Sequence, residues 1–343
     1  MKFKILVGIV VIIAGVFAVN FVLSKHAKKS AATKGASVQT SSNPVADLHQ
    51  ADDDLKAIVK NQDPLAALQE LAKRMKADKV IFNNCHGLAH EIGHAAYRKY
   101  NDFNTALKYQ DAVCSDGYLH GVIEQRFGDA PSLTAVTADM ATVCNHTGVS
   151  AGRCYHGVGH GLMFYTDNNL PKALSFCTNY LKGGSGRCYE GVFMQNFLSD
   201  GILHPSKYID TNNPLYPCPD ESVGLRQFCY FYAPILYLNL HNNDYAAALA
   251  WCNTAVADGI TSCIRGVGSL TMKYNIDQPK FVEGICGALS DRQISSCIDG
   301  MVSYYLTFYD RLSKAKEMCA TLETAHQPAC NAAITRRDGL FLN

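Results

Sequence analysis

Three stretches of the sequence carry histidine or carboxylate side chains at intervals of four residues. Side chains at this interval lie on one face of an α-helix. Imidazole and carboxylate groups held on a rigid helix face are suitable ligands for a transition metal. The pattern therefore predicts a metal or cofactor site. Its members are His86, His90 and His94 in the first stretch, Asp116, His120 and Glu124 in the second, and His156 and His160 in the third.

The three stretches are also equivalent to one another. A histidine stands three residues after a glycine in each, and the glycines are Gly87, Gly117 and Gly157. Equivalent positions on successive helices of a repeat array lie side by side, so the histidines are expected to form one patch. The predicted metal ligands are His86, His90, His94, His120, Glu124, His156 and His160. Zinc is the default metal, and copper and haem are alternatives. A metal-free ladder of histidines that hydrogen-bond between helices is the structural alternative.

One segment within this patch resembles a known catalytic motif. His90-Glu91-Ile92-Gly93-His94 matches His-Glu-x-x-His and is similar to the zinc-binding motif of the zincin metalloproteases. The resemblance implies that His90 and His94 bind zinc and that Glu91 is the general base that activates water. His120 or Glu124 would supply a third ligand. A zinc-dependent hydrolase is therefore one alternative function.

Regularly spaced cysteines indicate the elements that position these residues. The chain has 14 cysteines, and twelve of them form six pairs whose members are ten or eleven positions apart. Successive pairs follow at steps of 33, 41, 34, 34 and 33 residues, counted from their first members. Such regularity predicts a repeat protein with oxidised cysteines. The pairs are Cys144/Cys154, Cys177/Cys188, Cys218/Cys229, Cys252/Cys263, Cys286/Cys297 and Cys319/Cys330.

Each repeat is expected to be a pair of helices. An Ala- and Leu-rich segment precedes the first cysteine (helix A), and the second cysteine opens a Cys-x-x-Gly segment with apolar residues (helix B). A disulfide would join the end of helix A to the start of helix B and stabilise the pair by about 3 kcal/mol. The glycine would allow close helix approach. Cys85 and Cys114 lack such partners and are predicted to bond to each other.

The period and the A/B helix order resemble tetratricopeptide and Sel1-like repeats over roughly residues 60–335. The resemblance covers architecture and carries no function. The predicted fold is all-α: a right-handed α-solenoid of about seven helix–turn–helix repeats, each stapled by a disulfide, after an N-terminal membrane segment.

The N-terminus indicates where the repeats reside. Residues 1–4 form a short basic segment, and residues 5–23 are nearly all apolar. Residues 24–46 are expected to be a flexible linker, and residues 47–343 are expected to form the repeat domain. Residues 5–23 are long enough to span a bilayer as an uncleaved signal anchor. Disulfides require an oxidising compartment, so the domain is expected outside the cytoplasm, on the periplasmic or extracellular face. Cleavage and secretion are the second choice.

The charge of the chain excludes one class of partner. The formal net charge is +1, but the first 36 residues hold six lysines and no acidic residue, so the remainder carries −5. A domain without a basic stripe is not expected to bind nucleic acid. The sequence therefore predicts a membrane-anchored, extracytoplasmic repeat protein with a His-rich metal or cofactor site. A metal-free scaffold that binds a protein partner on the solenoid surface is the alternative.

Overall fold

A computed structural model describes residues 44–145, 150–181, 183–198, 206–309 and 311–337. The predicted basic N-terminus, the signal anchor (5–23) and residues 24–43 of the predicted linker lie outside this range. Residues 44–46 already belong to the first described helix, which begins at Pro44. Within the described residues, no helix combines the length and the apolarity that a bilayer crossing requires.

The secondary structure of the described residues is helical, as predicted, and most helices follow one another with short connections. The first nine are α1 (Pro44–Asn61), α2 (Pro64–Ala77), α3 (Lys79–Tyr100), α4 (Phe103–Leu107), α5 (Val113–Gly128), α6 (Leu133–Thr142), α7 (Ala151–Tyr165), α8 (Leu170–Tyr180) and α9 (Ser185–Leu198). After a 3₁₀ turn at Cys218–Asp220 come α10 (Val223–Tyr232), α11 (Pro234–Leu240), α12 (Tyr245–Cys252), α13 (Ile260–Tyr274), α14 (Pro279–Cys286), α15 (Asp291–Tyr309), α16 (Leu312–Thr321) and α17 (Gln327–Thr335).

Many of these helices begin at a side chain that caps them. Asp63 accepts a hydrogen bond from the backbone N–H of Ala66, and Asp78 accepts from Val80 at the start of α3. Such caps satisfy backbone donors that have no partner inside the helix, and each contributes about 1 kcal/mol. The same arrangement occurs at Asp102, Ser132, Ser150, Asn169 and Asp244.

All six predicted cysteine pairs are bonded. Each disulfide joins residues 10 or 11 positions apart, with Cα–Cα distances between 5.4 and 5.7 Å. Every one of the twelve cysteines except Cys144 is buried, so the bridges also contribute to the core. The order of helix A, disulfide and helix B is therefore confirmed for five of the pairs. In the sixth, the described residues 206–217 before Cys218 are not helical, and Cys218 itself lies in a 3₁₀ turn.

The prediction for the remaining two cysteines is wrong. Cys85 and Cys114 are free thiols. Their side chains are hydrogen-bonded neighbours, and the Cys114 thiol also lies 3.4 Å from the Met75 sulfur. Cys85 is one position late in the repeat register, and Cys114 has a left-handed backbone conformation with φ of 55°. The two residues thus occupy positions that differ from those of the stapled cysteines.

The B helices pack directly on one another at their glycines. A Cβ atom on Gly121 of α5 would lie 2.0 Å from the carbonyl oxygen of His90 on α3, and one on Gly191 of α9 would lie 1.9 Å from the carbonyl of His156 on α7. Both distances are far below van der Waals contact, so these backbones approach as closely as glycine permits. The glycine of the Cys-x-x-Gly segment was predicted to allow close approach of helices, and this holds at Gly191. At Gly87, by contrast, a Cβ would meet no atom within 4 Å.

The row of B helices is strongly curved. Ser115 Oγ on α5 lies 3.2 Å from Tyr304 OH on α15, although 189 positions separate them in sequence. The rings of Phe82 on α3 and Tyr274 on α13 are 6.4 Å apart. Early and late repeats therefore meet. The predicted right-handed α-solenoid of about seven repeats is not confirmed, and the described B helices surround a cavity.

One carboxylate joins the last helices. Asp299 on α15 accepts hydrogen bonds from Arg265 on α13 and from Arg336 and Arg337 after α17. Asp299 is 5% exposed. Burial raises the pKa of its carboxyl, but Arg337, Arg265 and Arg336 outweigh this effect and hold the pKa far below its ordinary value.

We expect Asp299→Asn to lower the free energy of unfolding by about 3 kcal/mol at pH 7, because three guanidinium groups lose their shared carboxylate. A carboxyl with a lowered pKa in the folded state stabilises above its unfolded pKa of about 3.9 and loses this contribution as pH falls. The difference between the two proteins should therefore shrink below pH 4. Urea unfolding under non-reducing conditions from pH 7 to pH 3 measures it. The matched control is Asp277→Asn, at an exposed residue. An equal loss in both variants would contradict the prediction.

Candidate metal centre

Four histidines from three helices meet inside the protein. His86 and His90 come from α3, His120 from α5 and His160 from α7. One ring nitrogen from each lies within 4.8 Å of those of the other three, and none of the four residues is more than 3% exposed. Tetrahedral zinc sites have ligand nitrogens about 3.4 Å apart, given Zn–N bonds of about 2.05 Å. Small side-chain movements would thus bring these four nitrogens into coordinating positions.

The hydrogen bonds of this four-histidine group leave nitrogens available to a metal. Nε2 of His86, Nε2 of His90 and Nδ1 of His120 are buried and have no hydrogen-bond partner among the described residues. The opposite nitrogen of His86 lies 2.7 Å from the carbonyl oxygen of Cys114, and that of His90 lies 3.0 Å from Glu124. Metal-binding histidines characteristically donate their second N–H to a carbonyl or carboxylate, which fixes the ring and leaves the other nitrogen for the metal.

The fourth histidine is held by neighbours on α7 and α9. Nδ1 of His160 is 2.7 Å from Oε1 of Gln195, and its Nε2 is 3.2 Å from Nε2 of His156. The ring of His160 stacks on that of His120 with 4.7 Å between centroids, and it lies 5.0 Å from the ring of His90. His156 itself borders the group and is 3.3 Å from the Met194 sulfur.

An unusual backbone segment positions two of these contacts. Cys114, Ser115 and Asp116 have successive left-handed φ values of 55°, 57° and 63°, so regular helix in α5 begins only at Gly117. Each such residue costs roughly 1–2 kcal/mol. The segment directs the Cys114 carbonyl to His86 and the Asp116 carboxylate to Arg153, 2.6 Å away. Strain of this kind concentrates at functional sites.

A second group of polar and charged side chains lies one helical turn further along α3 and α5 from the four-histidine group. Nε2 of His94 is 2.6 Å from Glu124, whose carboxylate also contacts His90. Nδ1 of His94 is 3.3 Å from Glu91, and Glu91 is 2.6 Å from the Lys56 ammonium on α1. Glu124 is wholly buried. The carboxylates of Glu124 and Glu91 thus link the four-histidine group to a lysine near the surface.

Burial and pairing give the histidines different protonation states. Burial lowers the pKa of His86, His120 and His156 well below the ordinary value, and neighbouring histidines lower it further. These rings are therefore neutral and able to coordinate near pH 7. Burial also lowers the pKa of His94, but hydrogen bonds with Glu124 and Glu91 raise it to about 9. Burial raises the pKa of Glu124, but His90 and His94 hold it well below its ordinary range.

The structure brings the predicted site residues into one region but separates them into layers. His86, His90, His120 and His160 form the four-histidine group, while His156 lies on one side of it and His94 and Glu124 on the other. Metal ligation by His94, Glu124 and His156 stays a prediction. The same holds for Glu91 as a general base, and its contacts are with Lys56 and His94.

Sequence reasoning missed two residues that support the site. Gln195 occupies the repeat position equivalent to Glu91 and orients His160. Its place in the register was the one signal that could have identified it. Lys56 lies on α1, before the first Cys-x-x-Gly segment, and no periodic signal connects it to Glu91.

A cavity of about 540 Å³ adjoins the four-histidine group. His86, His120 and His156 line it, together with residues from α9, α10, α13 and α15. The volume is in the range of small-molecule binding sites. The B helices therefore enclose both a potential metal centre and a space for a ligand next to it.

Comparison of the chain with known protein families, with curated proteins and with solved structures finds no match.

Proposed function

We propose that this protein binds a transition-metal ion at the four-histidine group and presents it to the adjoining cavity. The observation that carries the proposal is the set of buried ring nitrogens without hydrogen-bond partners on His86, His90 and His120. A buried polar atom without a partner costs about 1–3 kcal/mol. A metal ion would satisfy all three atoms at once, whereas a structural ladder of histidines would pair them with one another.

The donor set favours zinc or copper. Four imidazole nitrogens suit Zn²⁺ in tetrahedral geometry and also suit copper. Magnesium and calcium prefer oxygen ligands. The burial of the group and the lowered pKa values of His86 and His120 favour coordination near neutral pH, because a neutral imidazole releases no proton on binding.

We place the protein outside the cytoplasm, anchored by residues 5–23, because six disulfides need an oxidising compartment and the N-terminal segment is apolar enough to span a bilayer. The helix pairs are proposed to be a curved form of a right-handed α-solenoid. Secretion after cleavage is the alternative location.

Elemental analysis tests the metal proposal. The domain from residue 47 onward, expressed in an oxidising compartment and dialysed against zinc and then against buffer, is expected to retain about one equivalent of metal. His90→Ala should lose it. The matched control is His49→Ala, at an exposed histidine on α1, which should retain the metal. The full chain in detergent provides the same comparison with the N-terminal segment present.

Two results would contradict the proposal. One is a folded protein that takes up neither zinc nor copper. The other is uptake that is identical in the His90 and His49 variants. Either would leave the scaffold interpretation, in which the surface of the helical repeats binds a protein partner and the histidines are structural.

A further inference from the structure

We infer that the cavity beside the four-histidine group binds a small organic anion with an apolar body, and that Lys273 is the residue that recognises its acidic group. The inference deepens the proposed function, since the anion would occupy the space next to the metal. It rests on the charges of the cavity wall, on a lysine that has no carboxylate partner among the described residues, and on the apolar surface of the wall.

The charges around the cavity do not balance. Five cationic side chains line it, and three acidic side chains neutralise some of them. Arg153 is paired with Asp116, Arg187 with Glu190, and both Arg265 and Arg337 with Asp299 behind the wall. Lys273 is the fifth cation. The five cations of the wall outnumber these acidic side chains, so the wall is positively charged, and a cavity with an excess of one sign of charge concentrates ligands of the opposite sign.

Lys273 is the cation of the wall that contacts an aromatic ring, that of Tyr274 at 5.5 Å, and forms no ion pair with a described carboxylate. It lies near the end of α13, and no carboxylate of the described residues is within 4.0 Å of its Nζ. It lines the cavity together with Tyr304 and Ser115, whose hydroxyl groups are 3.2 Å apart. An ammonium group and two hydroxyl groups that line one cavity can together hold a carboxylate or phosphate by charge-assisted hydrogen bonds.

The same cavity offers an apolar surface. Phe228, Phe231, Ile235 and Leu270 line it, and Tyr232 and Met194 extend this surface towards His156. A simple inorganic anion would leave these side chains unused. A molecule with an acidic group and an aromatic or aliphatic body would instead contact Lys273 at one end and apolar side chains along its length, which is the usual composition of a small-molecule site.

Lys273 and the four-histidine group face the same cavity. His86 and His120 line it together with Lys273. An anion held by Lys273 would therefore lie close to His86 and to a metal bound there. Because the charges and the apolar surface are present without metal, anion binding does not require the metal.

Calorimetric titration with two isosteric probes tests the inference. 2-Naphthoate carries a carboxylate on an apolar body, and 2-naphthamide has the same body without the charge. We expect naphthoate to bind at least about tenfold more tightly than naphthamide, with affinity that falls as salt rises. Lys273→Met should reduce naphthoate affinity by about tenfold or more and leave naphthamide unchanged, whereas Lys273→Arg should retain it within a few-fold. Lys280→Met removes an exposed lysine on α14 and is the matched control.

Three results would contradict the assignment of the cavity to an anion. Equal affinity for the two probes, unchanged affinity in Lys273→Met, or no binding of naphthoate at millimolar concentration would overturn the inference. If Lys273→Met does not fold, Lys273→Gln, which removes the charge and keeps a polar side chain, replaces it, and the same loss of naphthoate affinity is expected. The titration is repeated with His90→Ala. Charge-selective binding without metal uptake would support the anion site and reject the metal proposal, and metal uptake without charge-selective binding would do the reverse.

Discussion

Zinc is expected to raise the free energy of unfolding of the metal-free protein by about 4 kcal/mol when free zinc exceeds its dissociation constant by a thousandfold. This gain arises because zinc binding is coupled to folding. The four nitrogens of His86, His90, His120 and His160 converge only in the folded chain, because three different helices supply them. A ligand that binds the folded state and not the unfolded state stabilises the former by mass action. Each further tenfold in free zinc should add about 1.4 kcal/mol.

Urea unfolding in zinc-buffered solutions, without reductant, measures this effect. His90→Ala removes one nitrogen of the group, so its zinc-dependent increment should fall to near zero. His49→Ala should show the full increment, because His49 is exposed on α1. The comparison uses increments and is therefore insensitive to any loss of stability that the substitutions cause in the metal-free state. Equal increments in the two variants would contradict the assignment of the ligands.

Gly121→Ala is expected to have the second large effect. A Cβ at this position would lie 2.0 Å from the carbonyl oxygen and 2.7 Å from the Cα of His90, and both are backbone atoms that cannot rotate away. Helices α3 and α5 would have to separate. We expect a loss of about 3 kcal/mol in the free energy of unfolding, since overpacking exceeds the gain in helix propensity. Separation would also move His90 from His120, so zinc affinity should fall with stability.

Gly87→Ala is the matched control for this substitution. Gly87 lies on α3 next to His86, and a Cβ there would meet no atom within 4 Å. Alanine should stabilise the helix by up to about 1 kcal/mol and leave zinc affinity unchanged. Urea unfolding measures the stability of both variants, and zinc titration measures their zinc affinity. A Gly121→Ala protein as stable as the wild type would show that the close packing of α3 on α5 does not hold the centre together.

Much of the site could be predicted from the register of the repeats. The positions of His90, His120 and His160 after their glycines predicted that these side chains meet, and their ring centroids are 4.7 to 5.5 Å apart. The sequence predicted a patch of histidines side by side on neighbouring helices, and the structure also brings together histidines that lie two helices apart. Helices in a flat row are about 8–10 Å apart, so side chains two helices apart would not touch. His90 and His160 do touch, because the row is curved and their side chains point inward.

The curvature itself could not be predicted from the spacing of the cysteines. It depends on how closely each B helix approaches the next, and therefore on tertiary contacts between particular glycines and backbone atoms. The pairing of Ser115 with Tyr304 and the position of Lys273 follow from that curvature. The repeat positions equivalent to His90 are Ser269 and Ser303 in the late repeats, and they gave no sign that these repeats face the histidines.

The six disulfides have a consequence for the chain under tension. Each bridge replaces a span of ten or eleven residues by 5.4 to 5.7 Å. Taken together, the bridges shorten the fully stretched chain by about 180 Å, whereas 300 residues reach about 1,000 Å. None of the six joins one repeat to another. When the ends are pulled, the helix pairs can therefore separate in succession with every disulfide intact. Resistance to that separation comes from the glycine contacts between B helices and from whatever occupies the space that they enclose.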